Sequence, residues 1–137
     1  MSLESGHSTI SKIKEIVADK SILIVEDDST ARIYIERIFS KLFAKTDAAC
    51  NGAEALKLYQ ENQYDIVLTD ITMPIMDGIE LASKIRLLNT DQKIIVLSAH
   101  KENDKLLRLI NIGITAFLEK PIDVEKIYKI IEKLHKE

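Results

Sequence analysis

Short apolar runs alternate with longer amphipathic stretches from residue 20 to the end of the chain. Five runs are brief, mostly apolar and rich in β-branched residues, which is typical of strands buried on both faces of a parallel sheet. We predict strands at residues 22–25, 46–50, 66–70, 93–97 and 114–118. The second run is the least apolar, and we therefore place it nearer an edge of the sheet.

Each predicted strand is followed by a stretch in which apolar residues recur every three or four positions, the spacing of one helix face. Regular alternation of strands and helices implies parallel pairing, right-handed crossovers and helices on both faces of the sheet. We predict an α/β fold with three layers, built on a doubly wound, five-stranded parallel sheet. The flavodoxin-like strand order 2-1-3-4-5 is the natural choice, because it places strands one and three side by side at the switch point.

Residues 1–19 form a predicted N-terminal extension, and residues 20–137 form a single domain. Residues 1–8 are small and polar, so we expect disorder there. The following residues recur at helical spacing, which predicts a short amphipathic helix: Ile10, Ile13, Ile16 and Val17.

Composition narrows the possible functions. The 137 residues carry a formal net charge of -3, and we expect no nucleic-acid binding by this domain, since that would need a basic surface. Cys50 is the only cysteine, which excludes an internal disulfide and suits a reducing cytoplasm. No apolar run approaches the roughly 18 residues of a membrane span. We expect a cytoplasmic domain that does not bind a membrane.

Polar side chains collect at the carboxyl ends of four predicted strands, the edge where open parallel sheets place their ligand sites. They are Glu26 and Asp27 after strand one, Asp70 at the end of strand three, Ser98 after strand four and Lys120 after strand five. Taken alone, each has a structural interpretation as a helix cap, a turn residue, a strand-end hydroxyl or a solvated lysine. We assign Asp28 and Ser29 to capping the next helix. The joint placement of the other five favours a shared site.

These residue types suit phosphoryl chemistry. Three converging carboxylates would repel one another and raise one pKa unless a cation compensated them. Mg²⁺ fits best, because it takes a few carboxylates, keeps waters and then binds phosphate oxygens. Lys120 and Ser98 can pair with phosphoryl oxygens, and a carboxylate can itself become an aspartyl phosphate.

Over residues 20–136 the sequence resembles the receiver domains of two-component response regulators. The segments that carry the resemblance are Ile24-Val25-Glu26-Asp27-Asp28, Leu68-Thr69-Asp70-Ile71-Thr72-Met73-Pro74-Ile75-Met76-Asp77-Gly78, Leu97-Ser98-Ala99 and Lys120-Pro121. The resemblance implies that Asp70 takes a phosphoryl group from the phosphohistidine of a sensor histidine kinase or a histidine phosphotransfer protein. The signal then passes to a downstream effector domain or protein.

The resemblance also assigns roles to the neighbouring residues. Mg²⁺ would be held by Glu26, Asp27, Asp70 and the backbone carbonyl of Thr72. Ser98 and Phe117 resemble the switch pair, Lys120 resembles the phosphate-binding lysine, and the Lys120–Pro121 bond resembles the family's cis peptide. Glu26 stands where aspartate is common in the family, and Phe117 where tyrosine is frequent. Neither departure removes a required group.

Two other functions compete with this interpretation. A phosphohydrolase with an aspartate nucleophile usually has a second aspartate two residues after the first, where this chain has Thr72. A pseudo-receiver that works without phosphorylation would not need the complete set of acidic residues, Ser98 and Lys120. On the favoured interpretation the domain catalyses only its own phosphorylation and dephosphorylation, and His100 and Thr72 tune the lifetime of the phosphate.

Overall fold

Strands and helices alternate along the computed structural model, which describes residues 2–99 and 102–136, with side chains described for residues 10–99 and 102–135. The helices are α1 Ser2–Val17, α2 Ser29–Ser40, α3 Gly52–Glu61, α4 Gly78–Leu88, α5 Asn103–Ile112 and α6 Val124–Lys136. The strands are β1 Ser21–Val25, β2 Lys45–Ala49, β3 Ile66–Asp70, β4 Lys93–Ser98 and β5 Ala116–Glu119. No helix in this part of the chain has the length and apolar character that crossing a bilayer demands.

The five strands form one parallel sheet in the order β2-β1-β3-β4-β5, which confirms the predicted fold and strand order. Val25 of β1 pairs with Thr69 of β3, so the next residues, Glu26 and Asp70, lie side by side at the carboxyl edge of the sheet. On the other side of β3, Asp70 pairs with Leu97 of β4. The register therefore brings the ends of strands one, three and four together.

Successive residues of the central strands point to opposite faces of the sheet and enter two separate cores. One core contains Leu23 and Val67 and lies under α3, α4 and α5. The other contains Ile24 and Leu68 and lies under α1, α2 and α6. Because both faces are covered, the strands need no polar face, which explains their continuous apolar runs.

Side-chain caps fix where three helices begin. The carboxylate of Asp28 accepts the N–H of Ala31 at 2.8 Å, and equivalent bonds join Asn51 to Glu54 and Asp77 to Glu80. The predicted cap at Asp28 is confirmed. Ser29 is instead the first residue of α2, because Asp28 already occupies the capping position.

The N-terminal helix is longer than predicted. It begins at Ser2, where we expected disorder over residues 1–8. Ile13 and Val17 are fully buried among residues of α2 and α6. Once this packing fixes the C-terminal half, each further helical turn costs little, because propagation is much easier than nucleation.

Candidate functional site

Asp70 is the last residue of β3 and is buried, with 5% of its surface exposed. One carboxylate oxygen accepts the N–H of Ile71 at 2.9 Å, and the other accepts the ammonium of Lys120 at 2.7 Å. A side chain at Gly78 would place its Cβ 2.2 Å from the carbonyl oxygen of Asp70. Only glycine therefore lets α4 begin this close to the end of β3.

Glu26 and Asp27 follow β1 beside Asp70. Glu26 is almost fully buried; one carboxylate oxygen accepts the Lys120 ammonium at 3.1 Å and the other accepts the N–H of Asp28 at 3.2 Å. Asp27 is exposed. The guanidinium of Arg32 donates to the carbonyl oxygens of Glu26 at 2.8 Å and Asp27 at 3.4 Å, which fixes the backbone of this turn.

Carboxylate oxygens of Glu26, Asp27 and Asp70 lie within 4.8 Å of one another. Although Asp27 is exposed, partial desolvation of its carboxyl group and the contact with Glu26 raise its pKa. Burial opposes the charge of Lys120, but its hydrogen bonds and ionic contacts with Asp70 and Glu26 outweigh this and raise its pKa. The site is therefore a group of three carboxylates, two of them buried, that favours a cation.

Oxygen donors of this kind are the ligands that Mg²⁺ prefers in proteins. The three carboxylates of the predicted ligand set lie together, and their binding of Mg²⁺ stays a prediction. Thr72 lies two residues after Asp70 and is exposed, and its carbonyl oxygen stays a predicted ligand. The hydroxyl of Thr72 contacts the carboxylate of Glu102 and accepts the ammonium of Lys105 at 3.1 Å.

The predicted switch residues lie on the two strands beyond Asp70. Ser98 ends β4 and is buried, with 4% of its surface exposed. Phe117 lies in β5 opposite Val96 and exposes 47% of its surface, so its ring faces outward. The N–H of Lys120 donates to the carbonyl of Ser98 at 2.8 Å. The backbone thus joins the end of β4 to the residue that binds Asp70. The Lys120–Pro121 peptide bond is cis, as predicted.

Glu102 is a contact residue that the sequence pattern does not reveal. One of its oxygens accepts the N–H of Ala99 at 2.6 Å, and the other contacts the Thr72 hydroxyl. It therefore links the segments that follow β3 and β4. In the sequence it stands only at the start of an amphipathic stretch, and its contact with Thr72 depends on the segments after two different strands meeting. His100, which we expected to tune the phosphate lifetime, lies outside the described residues.

The segment after β3 contains a second feature that periodicity does not reveal. Ile75 has a φ of 70° and exposes 82% of its surface. The N–H of Met76 donates to the carbonyl of Pro74 at 2.8 Å, which closes a three-residue turn around Ile75. A β-branched residue in this left-handed region is strained.

Comparison with known proteins agrees with this geometry. The family model described as the response regulator receiver domain matches residues 22–132. The sporulation initiation phosphotransferase F of Bacillus subtilis is 30% identical over 115 residues, which cover 84% of this chain and 93% of that protein. The chemotaxis protein CheY of Bacillus subtilis is 35% identical over 113 residues, covering 82% and 94%.

Solved structures show the same likeness. The N-terminal domain of an uncharacterized protein from Wolinella succinogenes is 34% identical, with a TM-score of 0.78 and coverage of 86% of this chain and 99% of that chain. The CheX–CheY–BeF₃–Mg²⁺ complex from Borrelia burgdorferi matches with 31% identity, a TM-score of 0.76 and coverage of 84% and 88%.

Proposed function

This chain belongs to the response regulator receiver domain family, and on that premise we propose that Asp70 is its phosphoacceptor. The phosphoryl group would come from the phosphohistidine of a sensor histidine kinase or histidine phosphotransfer protein. A carboxylate oxygen of Asp70 attacks the phosphorus, the N–P bond breaks and neutral histidine leaves after taking up a proton. Hydrolysis by water later returns the carboxylate and inorganic phosphate.

The observation that carries this proposal is the contact between Lys120 and Asp70 at 2.7 Å. Phosphoryl transfer needs positioning and neutralisation of charge more than it needs covalent chemistry from the protein. The Lys120 ammonium already contacts the attacking carboxylate. As the new bond forms, it can pair with an oxygen of the phosphoryl group. The N–H of Ile71 holds the other oxygen of Asp70, which fixes the direction of attack.

The carboxylates of Glu26, Asp27 and Asp70, with the Thr72 carbonyl, would hold Mg²⁺. The ion would supply positive charge next to the transferred phosphoryl oxygens. Glu26 is held by Lys120 and by the N–H of Asp28, whereas Asp27 is exposed and has a raised pKa. Of the carboxylates, Asp27 is therefore the one whose ionised form a bound cation would stabilise most.

Phosphorylation would act through Ser98 and Phe117. The phosphoryl group adds about -1.5 to -2 charge units and three acceptor oxygens. The Ser98 hydroxyl, at the adjacent strand end, would move toward them, and the exposed Phe117 ring would turn inward. This would change the surface formed by α5, β5 and α6. Phosphate would shift a population that the free domain already samples.

The proposed setting is a cytoplasmic two-component pathway in which a downstream effector domain or protein binds this surface. The domain would act as a signalling module whose only chemistry is on its own Asp70. We propose that this domain binds neither nucleic acid nor a membrane. The net charge of -3 argues against a nucleic-acid surface, and the single cysteine suits the reducing cytoplasm.

Stoichiometry separates this function from a phosphohydrolase. The chain is incubated with acetyl phosphate and Mg²⁺, and intact mass and released phosphate are both followed. A receiver accumulates one phosphoryl group per chain and turns the donor over only as fast as its own aspartyl phosphate hydrolyses. Fast turnover of varied phosphate esters with no phosphoprotein would favour the hydrolase, and an unchanged mass with no turnover would favour a pseudo-receiver.

A further inference from the structure

The N-terminal helix adds a surface that lies outside the matched family region. The match spans residues 22–132, whereas α1 ends at Val17. Ile13 and Val17 are fully buried beside α2 and α6, so α1 is part of the packed domain. Its outer side therefore forms a fixed wall next to those two helices.

A groove with a volume of about 340 Å³ opens between α1, α2 and α6. Its lining is mainly apolar, and the apolar residues in it are Ile10, Ile38, Leu42 and Tyr128. Tyr128 and Leu42 are buried and belong to the floor, whereas Ile10 exposes 47% of its surface at the edge. The groove thus offers an apolar floor with an exposed apolar residue on one wall.

The remaining lining residues are all cations: Lys14, Arg37 and Lys41. Within the described residues, none of the three has a carboxylate oxygen within 4.0 Å. Arg37 lies in the last turn of α2 and Lys41, the C-cap residue, follows it by four positions, a spacing at which like charges repel. In a chain of net charge -3, this basic rim is a local exception.

We propose that this groove binds an acidic amphipathic helix of a partner protein. Such a helix would place apolar side chains on Ile38 and Tyr128 and carboxylates against the three cations, the arrangement that helix-in-groove recognition uses. Complementary charge would fix its orientation and speed its encounter. The contact lies away from Asp70 and goes beyond the phosphoacceptor role.

Two other occupants fit less well. A two-fold contact between copies of this chain would bring the same patch against itself, so cations would face cations. A lipid bilayer is flat on this scale. It could contact Ile10 and the lysines, but it could not reach the buried floor at Tyr128.

The test uses the full chain, isotopically labelled, without Mg²⁺ or phosphodonor. The probe is a designed helical peptide of about 14 residues, roughly four turns, with leucines on one face and glutamates on both sides of it. We expect NMR shifts centred on Ile38, Leu42 and Tyr128. Affinity should fall about tenfold in Lys41→Glu and stay unchanged in Lys57→Glu, which makes the same charge change on α3. Ile10→Ser should also weaken binding, while Leu87→Ser on α4 should not.

Several results would overturn the proposal. The first is equal binding of a peptide in which lysines replace the glutamates. The second is a set of shifts outside the groove. Binding of phosphatidylglycerol vesicles to the groove, without peptide binding, would make it a membrane contact. Self-association that Lys41→Glu abolishes would make it a dimer interface. None of these outcomes bears on phosphorylation of Asp70, so the two proposals fail separately.

Discussion

The ammonium of Lys120 lies 2.7 Å from a carboxylate oxygen of Asp70, although 50 residues separate them in the chain. They meet because β3 and β5 run parallel with β4 between them, and both end at the same edge of the sheet. The same ammonium lies 3.1 Å from Glu26. A phosphoryl group on Asp70 would thus meet a cation that is already in place.

Replacing this cation tests its role. We expect Lys120→Met to slow phosphorylation by acetyl phosphate by about a hundredfold or more, the usual cost of losing one group that stabilises developing charge. Lys126→Met, an exposed lysine of α6, is the control and should react normally. Intact mass measured against time gives both rates. A normal rate in Lys120→Met would remove Lys120 from the chemistry.

The raised pKa of Lys120 also predicts a pH dependence. A lysine whose pKa is higher in the folded state adds stability that is complete below its unfolded pKa of about 10.4. That stability is lost as pH rises through the higher folded value. The difference in unfolding free energy between the wild type and Lys120→Met should therefore be constant from neutral pH to about pH 9, and it should shrink only above that.

Replacing Asp27 should abolish phosphorylation but stabilise the fold. We expect Asp27→Asn to block phosphorylation because a Mg²⁺ ligand is lost, while the fold survives. Its raised pKa means that ionising this carboxyl costs the folded state free energy, so stability falls as pH rises above about 3.9. Without metal at neutral pH, Asp27→Asn should therefore melt at a higher temperature than the wild type, whereas Asp91→Asn should not. Normal phosphorylation of Asp27→Asn would refute the metal assignment.

The N-terminal helix should matter for stability. Ile13 is fully buried, and Ile10 on the same helix is 47% exposed. We expect Ile13→Ala to lower the free energy of unfolding by about 2–4 kcal/mol, the usual cost of truncating a buried isoleucine. Ile10→Ala should cost well under about 1 kcal/mol. Urea titrations of the two variants measure both values. Equal small effects would mean that α1 is not packed in solution.

The proposed switch can be followed with beryllofluoride, a mimic of the aspartyl phosphate. Because Phe117 is exposed and Ser98 is buried before the mimic binds, we expect coupled NMR changes at both residues when it does. In Ser98→Ala the change at Phe117 should disappear, although the mimic still binds near Asp70. Changes restricted to the segments around Asp27 and Asp70 would show that the signal leaves by another face.

Much of the fold could be predicted from the sequence because its determinants are local. Apolar runs such as 22–25 reveal strands that are buried on both faces, and Asp28 marks the start of α2 at the expected position. Strand β2 begins one residue earlier than predicted, at Lys45. β2 also ends one residue earlier than predicted, at Ala49. The N–H of the next residue, Cys50, donates to the carboxylate of Glu54 and not to a neighbouring strand.

What could not be predicted depends on contacts between distant segments. The start of β5 at Ala116 instead of residue 114 reflects Thr115, whose hydroxyl accepts the N–H of Ile94 at 2.9 Å. The contact of Glu102 with Thr72 needs the register of β3 and β4. The length of α1 depends on packing of Ile13 against α2 and α6. The spacing of apolar residues along the chain does not predict such contacts.

The central claim is that Asp70 alone accepts the phosphoryl group. The most direct measurement is intact mass after incubation with acetyl phosphate and Mg²⁺, compared among the wild type, Asp70→Asn and Asp65→Asn, an exposed aspartate at the other end of the same strand. We predict one added phosphoryl group in the wild type and in Asp65→Asn, and none in Asp70→Asn. Undiminished labelling of a folded Asp70→Asn protein would contradict the account.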